Sequence, residues 1–464
     1  MPKDAAQKGS NRYSSLSQSQ RHSQSAGRHN TSPSTSSKSE SDELSDSESS
    51  SEKNSRSRQM PVSAHNPIQT FNRAVKKANG QKKIHHNGSL ILKHLMRLAH
   101  WIARSLSPFV SFDNIWLIGL TFYAHENGLS CQTVVEDASV GLVISHSEGF
   151  TIDAENEDVQ LCVEIFTRIN EVIPHADTVC RSLLEKPSRR QALVKLMDKL
   201  RGNACSSDTH MLKTKGLEFA ERVVPGGKFD PPINSQSPKE TSWGFNHVQL
   251  GGFLVPAKDC KKYDKNPQAY IARINNGELL LTHDLLPSYL YKSGTCNAKK
   301  LYAGLFEGPI VIYVYKAIFT GTSSAASIDF IRTGTRICQA QKNGLWSVTP
   351  DSLAYACVHA HFMLSSAKEW RLDPPGFSKI KYFELLTKIL HDGNEKWSKN
   401  LFGRLNVKIF GSHEGAPPPA PAPKKGASDA DALLRQLNDE SFDPDYNSDG
   451  MGGDSKGEID ELED

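Results

Sequence analysis

The sequence predicts a mainly α protein: a single helical globular domain with a Gly/Pro-rich loop or a short β-hairpin as an insert, flanked by disordered N- and C-terminal tails. Three observations support this prediction. Apolar residues recur at helical spacing through most of the chain between about residues 90 and 411. Pro and Gly residues separate these segments at short intervals. Both ends are too polar to form a core.

The ends differ from the middle in composition. Ser supplies 20 of the first 60 residues, and so few apolar residues there do not offset the entropy cost of ordering. Residues 412–464 begin as a Pro/Ala-rich spacer, EGAPPPAPAPKKGASD, and end in an acidic tail. We therefore divide the chain into a disordered Ser-rich tail (1–65), a basic linker with N-terminal helices (66–150), a helical domain (151–411) and a disordered spacer with its acidic tail (412–464).

The formal net charge of +3 hides a strong asymmetry. From Asp429 to Asp464 there are 13 acidic residues against two basic ones, a net charge of −11, which leaves +14 on residues 1–428. Between Glu52 and Asp113 there is no acidic residue, whereas Lys and Arg occur eleven times. We expect the acidic tail to fold back on this basic region or to repel polyanions.

Cysteine usage and hydropathy indicate where the protein resides. The eight cysteines are spaced singly, and the N-terminus MPKDAAQKGS does not resemble a signal peptide, so reduced thiols in an intracellular protein are expected. The longest apolar run, Pro309–Phe319, contains Lys316 and is shorter than the ~20 residues that a bilayer requires. We expect no transmembrane segment.

The first helices are predicted from apolar periodicity and flanking breakers. The stretch LILKHLMRLAHWIARS follows an Asn87–Gly88 turn and ends before Pro108. A second helix is expected from Asp113, as N-cap, to Gly128. Three further helices follow, separated by Pro174 and Pro187; their sequences are DVQLCVEIFTRINEVI, HADTVCRSLLEK and SRRQALVKLMDKLRG.

The second half combines an irregular insert with further helices. Residues 225–264 are rich in Gly and Pro and show no sustained period, so we expect an ordered loop or a short hairpin there. The run beginning at Pro309 has the β-branched content of a strand, but Pro in a first turn favours a helix. Thr349 and Pro350 predict another helix start. The last two segments are KIKYFELLTKILHD and EKWSKNLFGRLNVKIFG.

Six short blocks of the second half carry a resemblance to a known family. In chain order they are SSDTHMLK, WGFNH, GLFEGPIVI, IFTGTSSA, SVTPDSLAYA and FMLSS. Together they resemble a family of uncharacterised domains abundant in mushroom-forming basidiomycete fungi, over roughly Asp158 to Gly411. The resemblance implies a mostly helical intracellular domain, and it carries no activity, cofactor or catalytic residue to this sequence.

The basic region is the first candidate site. The stretch KKANGQKK holds two lysine pairs, which suit a nuclear-import receptor or a phosphate backbone. The following helix places further basic residues on one stripe with His100. An alternative is a solvated linker and helix face, and a membrane surface is a third. The candidate binding residues are Lys76, Lys77, Lys82, Lys83, Lys93, Arg97 and Arg104.

A second candidate site is the GFNH segment, Gly244 to His247. Its amide and imidazole, on Asn246 and His247, could position a ligand or move a proton. Alternatively, both side chains serve the backbone of the loop. These two residues are the weak catalytic candidates of this sequence.

Other polar groups suggest no cofactor and no metal. Cys357 and His361 share a helix face, but paired ligands at zinc-finger spacing are lacking, so no metal site is predicted. Near the block SSDTHMLK, Ser207 or Asp208 is expected to cap a following helix rather than help bind an anion. The sequence contains no phosphate-binding loop and no HExxH.

These observations favour a non-enzymatic interaction module that binds an unidentified protein or nucleic acid through its basic N-terminal part. We expect this module to be intracellular, in the nucleus in preference to the cytoplasm. The alternative is an enzyme or small-ligand-binding domain that uses the Gly244–His247 loop. A purely structural interaction domain is a third hypothesis.

Overall fold

A computed structural model describes residues 66–129, 144–145, 149–150, 156–331, 338–370, 373 and 376–416. Within these ranges the chain forms fifteen α-helices and one two-stranded antiparallel hairpin, which confirms the mainly α prediction. The helices are α1 Pro67–Asn79, α2 Leu90–Ser105, α3 Phe112–Glu126, α4 Glu157–Val172, α5 Ala176–Glu185, α6 Pro187–Glu221, α7 Lys239–Ser242, α8 Val248–Leu254, α9 Cys260–Lys265, α10 Pro267–Asn275, α11 Pro309–Phe319, α12 Gln339–Lys342, α13 Pro350–Leu364, α14 Lys379–His391 and α15 Glu395–Phe410. The strands are β1 Ile144–Ser145 and β2 Gly149–Phe150.

Two hydrophobic cores share the long helix α6. The first core joins α1 to α5 with the first part of α6, up to Leu200, and encloses Trp116. The second core joins the part of α6 from Ala204 onward with α8, α11, α13, α14 and α15, and encloses Trp243. Since α6 has 35 residues, it is about 52 Å long and spans both cores. The N-terminal helices therefore share a core with residues 156–200.

Helix α2 forms as its sequence pattern predicts. Asn87 and Gly88 adopt positive φ values of 49° and 80° and make the turn before it. The Ser89 hydroxyl then accepts a hydrogen bond from the Leu92 amide at 3.2 Å, so Ser89 is the N-cap. The predicted apolar face is buried, and the helix packs with it against α6. The basic stripe of α2 lies on the side of the helix opposite its apolar face.

Helix α3 begins earlier than predicted. Ser111, not Asp113, is the N-cap, and its hydroxyl accepts from the Asn114 amide at 3.3 Å. Asp113 instead lies in the first turn, where a carboxylate also complements the helix dipole. Both residue types favour helix starts, and with Ser111 as the N-cap the fully buried Phe112 is the first residue of the helix.

The predicted end of a helix near Gly202 was wrong, because α6 continues to Glu221. The expected cap at Ser207 or Asp208 was wrong for the same reason: both residues lie in the middle of α6. The apolar faces on either side of Gly202 are buried in the two cores, and this burial outweighs the ~1 kcal/mol cost of a helical glycine. Asp208 points into the protein and is paired there, as described below.

The insert at residues 225–264 is not a hairpin. It contains the short helices α7 and α8 and the start of α9, with 3₁₀ turns at Pro225–Gly227, Gly244–Asn246 and Ala257–Asp259. These elements surround Trp243, which is fully buried. Among the described residues, the strands that pair as a sheet lie elsewhere, in β1 and β2.

Helices α11 and α13 confirm the start signals read from the sequence. Pro309 and Pro350 occupy the first helical positions, and the Thr349 hydroxyl accepts from the Ser352 amide at 3.3 Å. Both helices are buried nearly all round. In the ranges described, no helix is both long and apolar enough to cross a bilayer.

The folded part extends slightly past the expected boundary at Gly411. The Ala416 amide donates to the Trp346 carbonyl at 2.7 Å, and Ala416 is buried. Residues 1–65 and 417–464, which were predicted to be tails, lie outside the described residues.

Candidate functional site

The basic stripe of α2 runs from an exposed end to a partly enclosed one. Lys93 is exposed to solvent. One helical turn later, Arg97 is exposed as well, but its Nε donates to the Asn343 Oδ1 at 2.7 Å. At the far end, Arg104 is mostly buried. The basic side chain at the start of the stripe is therefore exposed to solvent, whereas the arginines farther along are held by hydrogen bonds.

Arg104 forms a two-pronged ion pair with Asp208 of α6. Its Nε and Nη2 donate to the two carboxylate oxygens, both at 2.8 Å, and the side chains are 21% and 7% exposed. The Tyr355 hydroxyl donates to the same carboxylate at 2.7 Å. Burial disfavours the charged guanidinium, but the attraction and hydrogen bonds of Asp208 outweigh it and raise the pKa of Arg104. Arg104 therefore joins α2, α6 and α13.

A cleft of about 530 Å³ lies between α2 and α12. No acidic side chain lines it, and it contains two positive charges, on Arg97 and Lys342, that have no acidic partner among the residues the structure describes. The Asn343 amide is fixed at both ends, since its Nδ2 donates to the Gln339 carbonyl at 2.7 Å. The lining residues are Arg97, His100, Trp101, Arg104, Gln339, Lys342 and Asn343.

His100 lies within this cleft, and its surroundings lower its pKa. Burial is the main factor that lowers its pKa, and the positive charge of Arg104 lowers it further, while Asp208 acts in the opposite direction.

The lysine pairs lie beside α2. Lys76 and Lys77 are exposed in the last turn of α1, and Lys82 lies in the α1–α2 loop with Lys83 next to it. This loop is attached to α6, because the Lys199 Nζ donates to the Gln81 carbonyl at 2.8 Å. The Asn79 amide likewise donates to a carbonyl of α6, that of Ala192, at 2.8 Å.

The first half of α6 adds basic residues to this region. From the sequence we interpreted this segment only as a helix with core positions. Residues 186–201 contain six Lys or Arg and one acidic residue, Asp198. Lys195 and Lys199 are exposed on adjacent turns, next to the loop that α6 holds. Their i, i+4 spacing in SRRQALVKLMDKLRG is the signal that could have found them. The basic surface is then defined by Lys76, Lys77, Lys82, Lys83, Lys93, Arg97, Lys195 and Lys199.

The catalytic candidates Asn246 and His247 hold the backbone of the insert. The Asn246 Nδ2 donates to the Glu240 carbonyl at 2.8 Å. The His247 Nδ1 accepts from the Leu250 amide at 3.5 Å as the N-cap of α8, so the Nε2 is the protonated nitrogen that donates to the Pro231 carbonyl at 2.8 Å. His247 is also buried. Each side chain thus uses its polar groups on backbone atoms.

The His and Cys side chains of α13 are packed among aromatic rings. Cys357 is fully buried. His359 lies 4.2 Å from the ring centroids of both Tyr355 and Trp370, and His361 stacks on Phe377 at 4.0 Å. Burial lowers the pKa of both histidines to about 3. Throughout the described ranges, no cluster of three or more His, Cys, Asp or Glu side chains could hold a metal ion.

Comparison with known proteins adds a family match. Residues 199–410 match the model of DUF6698, a family of unknown function, which confirms the resemblance to a domain of unknown function. The match begins inside α6, close to the point where the second core begins, and not at Asp158 as the blocks suggested. No curated protein and no solved structure matches the chain.

Proposed function

We propose that this protein is a non-enzymatic module that binds nucleic acid through the basic surface and acts in the nucleus. The observation that supports this most is the joining of two distant basic segments by the Lys199–Gln81 hydrogen bond. Residues 66–112 carry eight Lys or Arg and no acidic residue, and α6 places Lys195 and Lys199 beside them. Such a surface attracts phosphate groups irrespective of base sequence.

Nucleic acid is a better partner for this surface than a membrane. Along α2, the exposed Lys93 and Arg97 lie about 6 Å apart, a spacing that suits neighbouring phosphates of a strand. An interfacial helix needs aromatic anchors on its exposed side. Trp101 is instead directed toward the second core, where its ring meets the Phe319 ring edge-on at 6.0 Å. An acidic protein is the remaining competitor, and the experiment below includes it.

Nuclear localisation is proposed from the two lysine pairs. Lys76, Lys77 and Lys82 are solvent-exposed in or beside α1 and offer their charges to an import receptor. Because the same side chains belong to the basic surface, an import receptor and a nucleic acid would compete for them. We also propose that the acidic tail contacts this surface within the same chain.

A salt-titrated binding assay tests the proposal. The full chain is titrated onto a fluorescent 20-base-pair duplex (about two helical turns) at several salt concentrations. The slope of the logarithm of the binding constant against the logarithm of the salt concentration is then compared with the slope for a variant that carries Lys→Gln at four exposed positions. The positions are Lys76, Lys82, Lys93 and Lys195. Each lost phosphate contact lowers the magnitude of the slope by about 0.9, so we expect a decrease of about 3 to 4.

The matched control places four Lys→Gln changes far from the basic surface, which keeps the net charge of the two variants equal. These positions are Lys261, Lys265, Lys299 and Lys300, all exposed. Equal slopes for the two variants, or no binding by the intact chain at low salt, would refute nucleic-acid binding by this surface. Tighter binding of an acidic peptide of the same charge than of the duplex would assign the surface to a protein partner instead.

A further inference from the structure

The cleft between α2 and α12 is distinct from the rest of the basic surface, because two of its donors, Arg97 and Arg104, are held in place by hydrogen bonds. We propose that it binds the phosphomonoester group of a nucleotide, either free or at the 5′ end of a strand, through Arg97, Arg104 and Lys342. This proposal rests on the proposed function, to which it adds the class of ligand and a defined point of contact. Three features of the site support it.

The first feature is the pre-organised guanidinium of Arg97. Its Nε is fixed by the Asn343 Oδ1 at 2.7 Å, and Asn343 is itself fixed by the Gln339 carbonyl. Both Nη atoms of Arg97 have no hydrogen-bond partner among the described residues, and Arg97 is one of the residues that line the cleft. A planar fork that is already oriented loses little side-chain entropy when it binds two phosphate oxygens.

The second feature is the charge of the cleft. Arg104 is neutralised by Asp208, but it also lines the cleft, and its Nη1 makes no hydrogen bond within the described parts of the chain. Arg97 and Lys342 supply two positive charges that no carboxylate balances there. A phosphomonoester carries about −1.5 to −2 charges at pH 7, whereas an internal phosphodiester carries one. The cleft therefore matches a terminal phosphate better.

The third feature is the size of the cleft. A volume of about 530 Å³ is within the range of pockets that bind small molecules and exceeds the needs of a phosphate alone. Trp101 provides an apolar wall, while Gln339 and Asn343 provide amides near it. A nucleoside fits such a mixed surface, because it has both a stacking face and polar edges.

His100 gives the site a pH signature. The charged groups that act on its pKa are Arg104 of α2 and Asp208 of α6, while Arg97 of α2 and Lys342 of α12 line the same cleft. A bound phosphate adds negative charge and favours protonation of His100, so the imidazole should increase the affinity as the pH falls. Because phosphate also titrates near pH 6, a His100→Gln variant provides the reference. The difference between the two pH profiles reports the imidazole.

The experiment uses the full chain with three probes: adenosine monophosphate, and one single-stranded oligonucleotide with either a 5′-phosphate or a 5′-hydroxyl. We expect the 5′-phosphate to tighten binding about tenfold, and Lys342→Gln to abolish this advantage, since a charge-assisted contact is lost. Lys82→Gln, which removes one exposed charge of the basic surface outside the cleft, should weaken both oligonucleotides equally. Lys342 is exposed, so the substitution should leave the melting temperature unchanged.

The outcomes separate this proposal from the proposed function. Salt-dependent binding without a 5′-phosphate advantage, and with equal effects of Lys342→Gln and Lys82→Gln, overturns the cleft proposal and leaves the basic surface intact. Binding of adenosine monophosphate that Lys342→Gln abolishes, without any binding of strands, supports the cleft as a free-nucleotide site and overturns the proposed function. Tighter binding of a phosphoserine peptide than of either nucleotide probe overturns the assignment to nucleotides.

Discussion

The ion pair between Arg104 and Asp208 allows a quantitative test of how the two cores are joined. We expect Arg104→Met to leave a carboxylate that is only 7% exposed with Tyr355 as its remaining partner. Breaking a buried pair from one side costs about 3–5 kcal/mol, because the other charge stays buried. Asp208→Leu leaves the guanidinium uncompensated, and we expect a loss of the same size.

Replacing both partners gives a different result. The double variant, Arg104→Met with Asp208→Leu, contains no buried charge at this position, and the Tyr355 hydroxyl is the group left without its acceptor. An unsatisfied buried hydroxyl costs about 1–3 kcal/mol. Adding Tyr355→Phe removes this last polar group, so the triple variant should approach the stability of the parent chain.

Urea unfolding followed by tryptophan fluorescence measures these differences through the transition midpoints. We expect the two single variants to be the least stable, the double variant to be intermediate and the triple variant to be the most stable of the four. If the double variant loses as much as the sum of the two single ones, the residues do not act as a pair and the reasoning is refuted. A loss below about 1 kcal/mol in both single variants would show that solvent compensates for the exposed edge of Arg104.

Two further predictions concern buried groups elsewhere. Burial, with a smaller effect of nearby lysines, lowers the pKa of Lys239 to about 7. The unfolded chain therefore binds more protons than the folded one between pH 7 and 10.5, and the free energy of unfolding rises with pH in this range. Lys239→Met should remove about 2 kcal/mol of this rise between pH 7 and 9, and parallel pH profiles of the variant and the parent chain would contradict this. Gly308→Ala would place its Cβ 1.9 Å from the Tyr289 carbonyl oxygen and should lower the free energy of unfolding by about 3 kcal/mol. The control is Gly202→Ala in α6, where the added Cβ meets nothing within 4 Å and should stabilise the helix by about 0.5–1 kcal/mol. Similar melting temperatures of the two variants in thermal unfolding would refute the close contact at Gly308.

Local signals in the sequence were sufficient for most helices. Thr349, Pro350 and Pro309 predicted helix starts correctly, because capping and the fixed φ of Pro act within one turn. The continuity of α6 was not predictable in this way. Asp208 resembles a cap in the sequence, and its real partner, Arg104, is 104 residues away.

The candidate site shows the same division between local and distant signals. The basic stripe of α2 follows from helical spacing alone, so Lys93, Arg97 and Arg104 were found in the sequence. The other wall of the cleft was not, because Asn343 meets Arg97 across 246 residues and lies directly after α12, a helix of only four residues. Helix periodicity places side chains on a face, whereas only the packing of α2 against the second core decides which distant residues face it.

The acidic tail should compete with the duplex for the basic surface of the same chain. Residues 417–464 carry 13 acidic and four basic side chains, and the rest of the chain carries the compensating positive charge. Removing them should raise the affinity for the duplex most at low salt, since the tail acts as a tethered competitor whose contacts are as salt-sensitive as those of the duplex.

The size of the effect depends on the tether. A flexible linker presents its end at an effective concentration in the millimolar range, so even a weak tail contact competes with an external strand. We expect truncation after Ala416 to increase duplex affinity about tenfold at 50 mM salt and to have little effect at 300 mM. The four-lysine variant of the basic surface should lose this gain, because tail and duplex then lack a common binding site. An equal gain in that variant would mean that the tail acts through general charge repulsion and not by occupying the basic surface.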